Sequence, residues 1–252
     1  MLDVLFFIRF RYKTAIDNYR NLISIMREKH APKLSQKAYE SFTYHLSVRA
    51  LRAGQLISQR ELVSLTGLPL GAIRELIPRL EAEGLIRTIP QRGMSIAEVD
   101  PKLVKDAFEF RLFLEIQAVN YFTKHASDNL VGQLLNETKD IIALCELEGG
   151  SDMTSSSSSS SLIADAQAVD WKLHEQIIKT LNNKIIIDAY RVNSIKIRLI
   201  KLEQTSLTQA NVISTMNEHL DIIHAVQMRD QAAAEREIVK HIENARFRAL
   251  SN

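Results

Sequence analysis

Residues 57–99 read ISQRELVSLTGLPLGAIRELIPRLEAEGLIRTIPQRGMSIAEV, and this stretch decides the N-terminal fold. Ser58 and Glu61 form a capping box, in which each side chain bonds to the other's backbone N–H. The box predicts a short helix that starts at Gln59 and ends at Gly67. A longer helix, over about 35–52, is expected to precede it because apolar residues recur there at helical spacing.

A third helix is expected from about Pro69 to Glu83, with Gly84 in the left-handed position that commonly follows a helix. Two short strands, Ile86–Ile89 and Met94–Ala97, are expected to follow as a hairpin. Helix, short helix, helix and hairpin is the plan of a winged helix-turn-helix. In that plan the third helix enters the DNA major groove and the hairpin forms the wing.

The charge distribution agrees with a DNA-binding N-terminal part. Residues 1–99 contain 15 Lys and Arg against 9 Asp and Glu, whereas residues 100–252 contain 17 against 21. A basic region attracts phosphates, which supply most of the non-specific affinity for DNA. The single cysteine, Cys145, excludes an internal disulfide framework, so we expect a cytoplasmic protein. No apolar run approaches the roughly 20 residues that span a bilayer, so we expect no membrane partner.

Asp100-Pro101 marks a domain boundary. We therefore expect an N-terminal extension over residues 1–34, in which Met26 is an alternative initiator, a DNA-binding domain over 35–99 and a second domain over 100–252. The second domain is predicted to be an all-α antiparallel helical bundle, and Ser151–Ser161 a flexible loop. Helical periodicity covers 102–127, 129–147, 162–181, 184–205, 209–228 and 231–250.

Both parts of the chain resemble the GntR family of transcriptional regulators. In the first, the matching pieces are AGQLISQREL (53–62), IREL (73–76), LEAEGLIR (80–87) and PQRGMSI (90–96). The second part, about 102–248, resembles the FCD sensor domain of the FadR subgroup through RLFLE (111–115), DWKLH (170–174), EH (218–219) and His241. The resemblance implies a homodimeric regulator that binds operator DNA, and not an enzyme.

The start of the third helix departs from this family. Relatives usually carry Ser-Arg-Thr-Pro where this chain has Pro69, Leu70, Gly71 and Ala72, so an arginine that contacts DNA is missing at position 70. Pro78 lies inside the helix and predicts a kink, because proline removes one backbone hydrogen bond. The operator sequence is therefore expected to differ from the usual one.

Candidate DNA contacts come from each part of the winged helix. They are Arg60 near the start of the second helix, Arg74 on the third helix, Arg92 and Gly93 at the tip of the wing, and Arg49 near the end of the first helix. Arginine can bind guanine through two hydrogen bonds, and a slim turn at Gly93 can enter the minor groove. The alternative is that these arginines are solvated, or pair with Glu61 or Glu75.

Four residues of the second domain form a candidate metal site. Asp170 and His174 are four residues apart and share one helix face. His219 and His241 would lie about 33 Å apart on one continuous helix. A turn at Asp230, 11 residues from each, makes a hairpin that brings the two histidines level about 16 Å from the turn. These four residues match the FCD metal motif and suit zinc or nickel.

The resemblance implies that the metal anchors a small organic acid, the effector of a regulator that we expect to be a repressor. Arg111 is a candidate second contact for the acid, with an ion pair to Glu115 as the alternative, and Asn193 and Arg198 are candidates for the pocket wall. Two other functions stay open. One is a metal-dependent hydrolase with an accessory winged helix, and the other is a helical adaptor that binds no metal.

Overall fold

The computed structural model describes residues 34–149, 156–204, 207–208 and 210–251. The predicted N-terminal extension and Met26 lie outside the described residues, apart from Leu34, which begins the first helix. Within these ranges the chain forms a small three-stranded sheet among three helices, followed by a bundle of six long helices. The predicted fold class, a winged helix-turn-helix followed by an all-helical bundle, is confirmed.

The N-terminal domain is built from short elements that bury one face each. Its helices are α1 Leu34–Ser47, α2 Gln59–Thr66 and α3 Leu70–Ala82, and its strands are β1 Leu56–Ile57, β2 Ile86–Ile89 and β3 Gly93–Ile96. The strand order is β1-β3-β2, with both pairs antiparallel. Phe42, Ile73 and Leu80 are buried between the helices, so the apolar stripes read in the sequence form the core.

Local capping follows the sequence pattern. The Ser58 side chain accepts from the Glu61 N–H at 3.2 Å, and the Glu61 carboxylate accepts from the Ser58 N–H at 2.7 Å. Gly67 and Gly84 both have φ of +68°, which a side chain disfavours, and they end α2 and follow α3. The capping box and the two glycines therefore set the lengths of the helices that would meet DNA.

Two local predictions are corrected by the structure, and one strand was not predicted. The first helix ends at Ser47 rather than at residue 52, because the chain turns at Arg49, whose φ is +58°. Strand β1 was not predicted, since two residues are too short to show alternation. The second wing strand runs one residue earlier than expected, over Gly93–Ile96. Helix α3 continues through Pro78 to Ala82.

The C-terminal bundle consists of α4 Pro101–His125, α5 Asp128–Gly149, α6 Ser156–Thr180, α7 Lys184–Gln204, α8 Val212–Gln227 and α9 Gln231–Leu250. Helix α4 packs against α6, α7 and α9, and α5 packs against α8. The largest side chains in its core include Phe108, Phe122 and Leu173. Within the described ranges, no helix combines the length and the apolar character that a bilayer span requires.

The structure corrects part of the loop that the sequence predicts over the serine-rich segment. Ser156–Ser161, predicted as part of a loop, form the first turns of α6. Serine is only a moderate helix former, but a helix that packs from Leu162 onward can extend through it, since propagation costs less than nucleation. Residues 151–155 of the predicted loop lie outside the described residues.

The two domains share packing through α7. Ile195 and Leu199 of that helix are buried in the core of the winged helix. Nearby, the Tyr39 ring lies between the guanidinium groups of Arg79, at 3.6 Å, and Arg191, at 4.9 Å. Its hydroxyl donates to Glu83 at 2.7 Å. Burial and this carboxylate raise the pKa of Tyr39 to about 12, so the phenol stays protonated at neutral pH.

Replacing Gly93 by alanine is expected to destabilise the winged helix. Gly93 has φ of +100°, and a Cβ there would lie 2.8 Å from the Ile57 carbonyl oxygen. We expect Gly93→Ala to lower the free energy of unfolding by about 1–3 kcal/mol in urea titrations. Gly71→Ala is the matched control, because its Cβ would meet nothing within 4 Å. Equal stability of the two variants would contradict the strained position of Gly93.

Candidate metal centre

A helical hairpin positions two of the candidate ligands. Helices α8 and α9 are joined at Arg229, whose φ is +58°, and Asp230, whose side chain accepts from the Ala233 N–H at 2.9 Å and so caps α9. The turn lies where the spacing predicts it. His219 on α8 and His241 on α9 are level as a result, with ring centroids 4.7 Å apart.

Helix α6 supplies the other two candidates from one face. One ligand atom from each of Asp170, His174, His219 and His241 lies within 4.8 Å of the others, and all four residues are buried. The Nε2 atoms of His174 and His241 are 3.2 Å apart, and His219 Nε2 lies 3.4 Å from Asp170 Oδ1. Zinc bonds of about 2.0–2.1 Å place neighbouring tetrahedral ligands about 3.3 Å apart. These two spacings therefore fit one small divalent ion.

Unsatisfied polar atoms support this fit. Asp170 Oδ1 and both ring nitrogens of His219 are buried and have no hydrogen-bond partner in the part of the chain that the structure describes. Leaving a buried polar atom unpaired costs about 1–3 kcal/mol, so such atoms usually have a partner. A divalent cation uses a carboxylate oxygen and an imidazole nitrogen as ligands. The four residues thus fit a metal better than they fit a closed hydrogen-bond network.

Two carboxylates orient the histidines. Glu115 Oε2 lies 2.6 Å from His174 Nδ1, and Glu218 Oε2 lies 2.7 Å from His241 Nδ1. A carboxylate that accepts from Nδ1–H leaves Nε2 unprotonated, which is the form that binds a metal. Sequence reasoning missed Glu218 in this role, because its contact with His241 depends on the register of the hairpin.

Burial also keeps the imidazoles of His174 and His241 neutral. Burial lowers the pKa of His174, and it lowers the pKa of His241 well below its usual range with help from the neighbouring histidines. Neutral imidazole is the metal-binding form. Burial raises the pKa of Asp170, but the charge of Lys201 outweighs it, so the carboxyl stays ionised. Lys201 Nζ donates to Asp170 Oδ2 at 2.5 Å, another contact that the sequence did not reveal.

Arg111 makes the ion pair with Glu115 that sequence reasoning left as one alternative, and it also reaches the candidate ligand His174. Its Nε donates to Glu115 Oε1 at 2.7 Å, and its Nη2 lies 3.1 Å from His174 Nε2. Tyr190 also donates to Glu115, at 2.8 Å. Burial raises the pKa of Glu115, but the charge of Arg111 and the hydrogen bonds from Arg111 and His174 outweigh it, and the pKa falls well below its usual range.

A small cavity of about 20 Å³ adjoins the candidate ligands. Arg111, Arg198 and Lys201 line it, and Arg198 Nη2 donates to Glu175 at 2.8 Å. This volume holds little more than one water molecule. Asn193, the remaining candidate for the pocket wall, donates to the Ala107 carbonyl at 3.0 Å, so its amide joins α7 to α4.

The candidate DNA contacts lie on the surface of the winged helix. Arg49, Arg60, Arg74 and Arg92 are all exposed, and Arg74 Nε lies 3.5 Å from Gln59 Oε1. Of the two acidic alternatives, Glu61 uses its carboxylate in the capping box. Arg49 lies in the turn after α1 rather than within the first helix, and the contacts of all four arginines with DNA stay a prediction.

The model of the FCD domain matches residues 106–244, which is more than half of the chain and includes all four candidate ligands. The chain belongs to the FCD domain family. No curated protein sequence matches it significantly.

Solved structures show the same fold at low sequence identity. The E. coli protein McbR/YncC is 14% identical with a TM-score of 0.67, and the match covers 85% of this chain and 95% of that one. A GntR transcriptional regulator from Rhodococcus sp. RHA1 is 14% identical with a TM-score of 0.68, covering 88% and 99%. Both span the FCD domain and the winged helix, so the two-domain architecture is shared.

Removing His219 is expected to abolish metal binding. His219 offers two unpaired buried nitrogens, whereas His224, one and a half turns further along α8, is exposed. We expect the protein and His224→Ala to bind one divalent ion per chain by metal analysis and calorimetry, and His219→Ala to bind none. Zinc at 100 times its dissociation constant should also stabilise the unmodified protein by about 2.7 kcal/mol. Equal metal content in both variants would contradict the site.

Loss of the Glu218 carboxylate, which contacts His241 Nδ1, is expected to weaken metal binding without removing a ligand. Replacing such outer partners costs about 10–100-fold in metal affinity. We therefore expect Glu218→Gln to raise the zinc dissociation constant by that factor in competition with a chelating dye. Glu146→Gln, an exposed change on α5, is the control and should bind as the unmodified protein does. An unchanged zinc affinity of Glu218→Gln would contradict the role of Glu218 in orienting His241.

Proposed function

We propose that this protein is a homodimeric transcriptional regulator of the GntR family, FadR subgroup, that binds operator DNA through its winged helix. Its FCD domain binds a divalent metal, zinc or nickel, and a small organic acid as effector. The single observation that carries the proposal is the buried cluster of Asp170, His174, His219 and His241 in a chain that also has a winged helix. The regulator works in the cytoplasm and represses transcription until the acid binds.

The charge balance around the cluster favours an acidic effector. Asp170 and Glu115 are buried and negative, and their buried partners Lys201 and Arg111 are positive, so these four charges cancel. A divalent ion with neutral histidines adds two positive charges, and nearby Glu218 does not fully offset one of them because it also lies 3.5 Å from Arg248. Unbalanced charge in a buried site is costly. A carboxylate on the metal supplies the missing negative charge.

Arg111 is placed to hold the same acid. Its Nη2 lies beside the metal-facing nitrogen of His174, while its Nε stays bonded to Glu115. A guanidinium fixed in this way offers a charge-assisted hydrogen bond to an anion that reaches the metal. Arg198 lines the adjoining cavity and can contact a longer acid. Because the cavity is small, side chains around it have to move when an effector enters.

Helix α7 gives the two domains a physical connection. Its Tyr190 and Lys201 contact Glu115 and Asp170 at the candidate metal centre, and its Ile195 is buried in the core of the winged helix. A ligand that shifts α7 therefore also displaces a side chain that packs in the core of the winged helix. An effector acts only through a difference in its affinity for the two arrangements, and a shared helix provides such a difference.

The winged helix supplies the contacts with DNA. Helix α3 carries Arg74 into the major groove, the wing carries Arg92 beside Gly93 into the minor groove, and Arg49 and Arg60 face the phosphates. Two copies of the chain read the two halves of a pseudo-palindrome. The departure at Leu70 shifts base recognition toward Arg74.

The other two functions make different predictions. A helical adaptor needs no metal, and the buried ligand cluster disfavours it. A metal-dependent hydrolase needs no operator, so a gel shift with the DNA upstream of the gene separates it from a regulator. Binding at low salt supports the regulator, and no binding by either the metal-free or the metal-loaded protein contradicts it.

Substitution of two arginines tests the DNA interface. We expect Arg74→Ala and Arg92→Ala to weaken operator binding by roughly 5–150-fold each, the cost of about 1–3 kcal/mol for a lost base contact. The measurement is fluorescence anisotropy at several salt concentrations, where a lost phosphate contact lowers the salt slope by about one. Arg236→Ala is the control, since Arg236 is exposed on α9 in the FCD domain. Equal binding by all three variants would contradict the proposed interface.

A further inference from the structure

A second cavity lies at the domain junction, next to the small cavity at the metal ligands. This junction cavity is a partly open space of about 370 Å³ that is lined by α1 of the winged helix and by α6 and α7 of the FCD domain. Ligand-binding cavities usually range from about 300 to 1,000 Å³. The cavity beside the metal ligands is far smaller, at about 20 Å³. The junction cavity is therefore the better sized of the two for a whole organic molecule.

The walls of the junction cavity combine apolar side chains with an excess of positive charge. Ile178, Ile187 and Ile195 provide the apolar surface, together with the ring of Tyr39. Three cations and two carboxylates also line it: Lys179, Arg191, Arg198, Glu40 and Glu175. The lining therefore carries one more cation than carboxylates, although Arg191 also lies 3.9 Å from Glu83, outside the lining. Such a lining suits an anion that has an apolar body.

Two of these cations have unused hydrogen-bond donors. Arg191 Nη1 and Arg198 Nε are buried and have no hydrogen-bond partner within the described ranges. Arg198 uses its Nη2 on Glu175, and Arg191 Nη2 lies 3.9 Å from Glu83, so both guanidinium groups are already held in place. These two buried atoms do not face the open space, but each guanidinium has other N–H donors, and guanidinium groups that are held in place bind carboxylate or sulfonate oxygens well.

We propose that the junction cavity is a second ligand site, which takes an organic anion with an apolar body and holds it between the two domains. Its occupant contacts Thr43 and Tyr39 of the winged helix and Arg191 of the FCD domain at the same time. A molecule that fits this space stabilises the present arrangement of the domains, whatever the state of the metal centre. The site needs neither the metal nor DNA.

The test uses the full chain with zinc bound and the probe 1-anilinonaphthalene-8-sulfonate, which has an aromatic body and one sulfonate. We expect saturable fluorescence with one probe per chain. Arg191→Gln should raise the dissociation constant at least tenfold, and Arg236→Gln, the exposed control, should leave it unchanged. Arg191 lines the junction cavity but not the cavity at the metal ligands, so its loss separates the two.

A second variant keeps both arginines. Thr43→Phe fills the junction cavity from the side of α1 and should also raise the dissociation constant at least tenfold, with an unchanged circular dichroism spectrum. Removing zinc with a chelator should leave probe binding unchanged. The proposal is overturned if Thr43→Phe binds the probe as tightly as the unmodified protein. It is overturned as well if chelation abolishes binding, because the probe then sits at the metal centre.

Discussion

The burial of one carboxylate, that of Asp170, determines how the helical bundle is arranged around it. A charged group taken out of water costs several kcal/mol unless other groups compensate for it. Here Lys201 binds one oxygen, Oδ2, and the other oxygen faces His219 without a hydrogen bond. Three helices, α6, α7 and α8, therefore have to meet at Asp170, and the metal that we propose would satisfy the remaining oxygen. An apolar residue at this position would leave Lys201 as an uncompensated buried cation.

The sequence could predict those parts of the site that depend on chain geometry alone. Asp170 and His174 share a face because they are one helical turn apart, and His219 and His241 meet because Asp230 lies midway between them. The sequence could not predict the pairing of Glu218 with His241, since it needs the rotation of α8 against α9. Strand β1 was missed because it exists only through its pairing with β3.

Helix α7 makes the two domains less independent than the boundary at Asp100 indicates. Ile195 and Leu199 complete the core of the winged helix, while Tyr190 and Lys201 on the same helix bind buried acids of the FCD domain. Apolar packing and buried ion pairs both tolerate little displacement, so α7 cannot move for one domain without a cost in the other. This constraint is a physical basis for the communication between effector and DNA that we propose.

The small cavity at the metal ligands and the junction cavity are neighbours. They share Glu175, Tyr190, Ser194 and Arg198, so the ion pair of Arg198 with Glu175 lies in a wall common to both. Arg198 uses Nη2 on Glu175 and has further N–H donors, so an acid in the small cavity can bind the same guanidinium while the ion pair stays in place. Substitution of Arg198 would alter both cavities, because its side chain lines both. Of the two cavities, Arg191 and Thr43 line only the one at the domain junction, so changes there leave the wall of the metal centre intact.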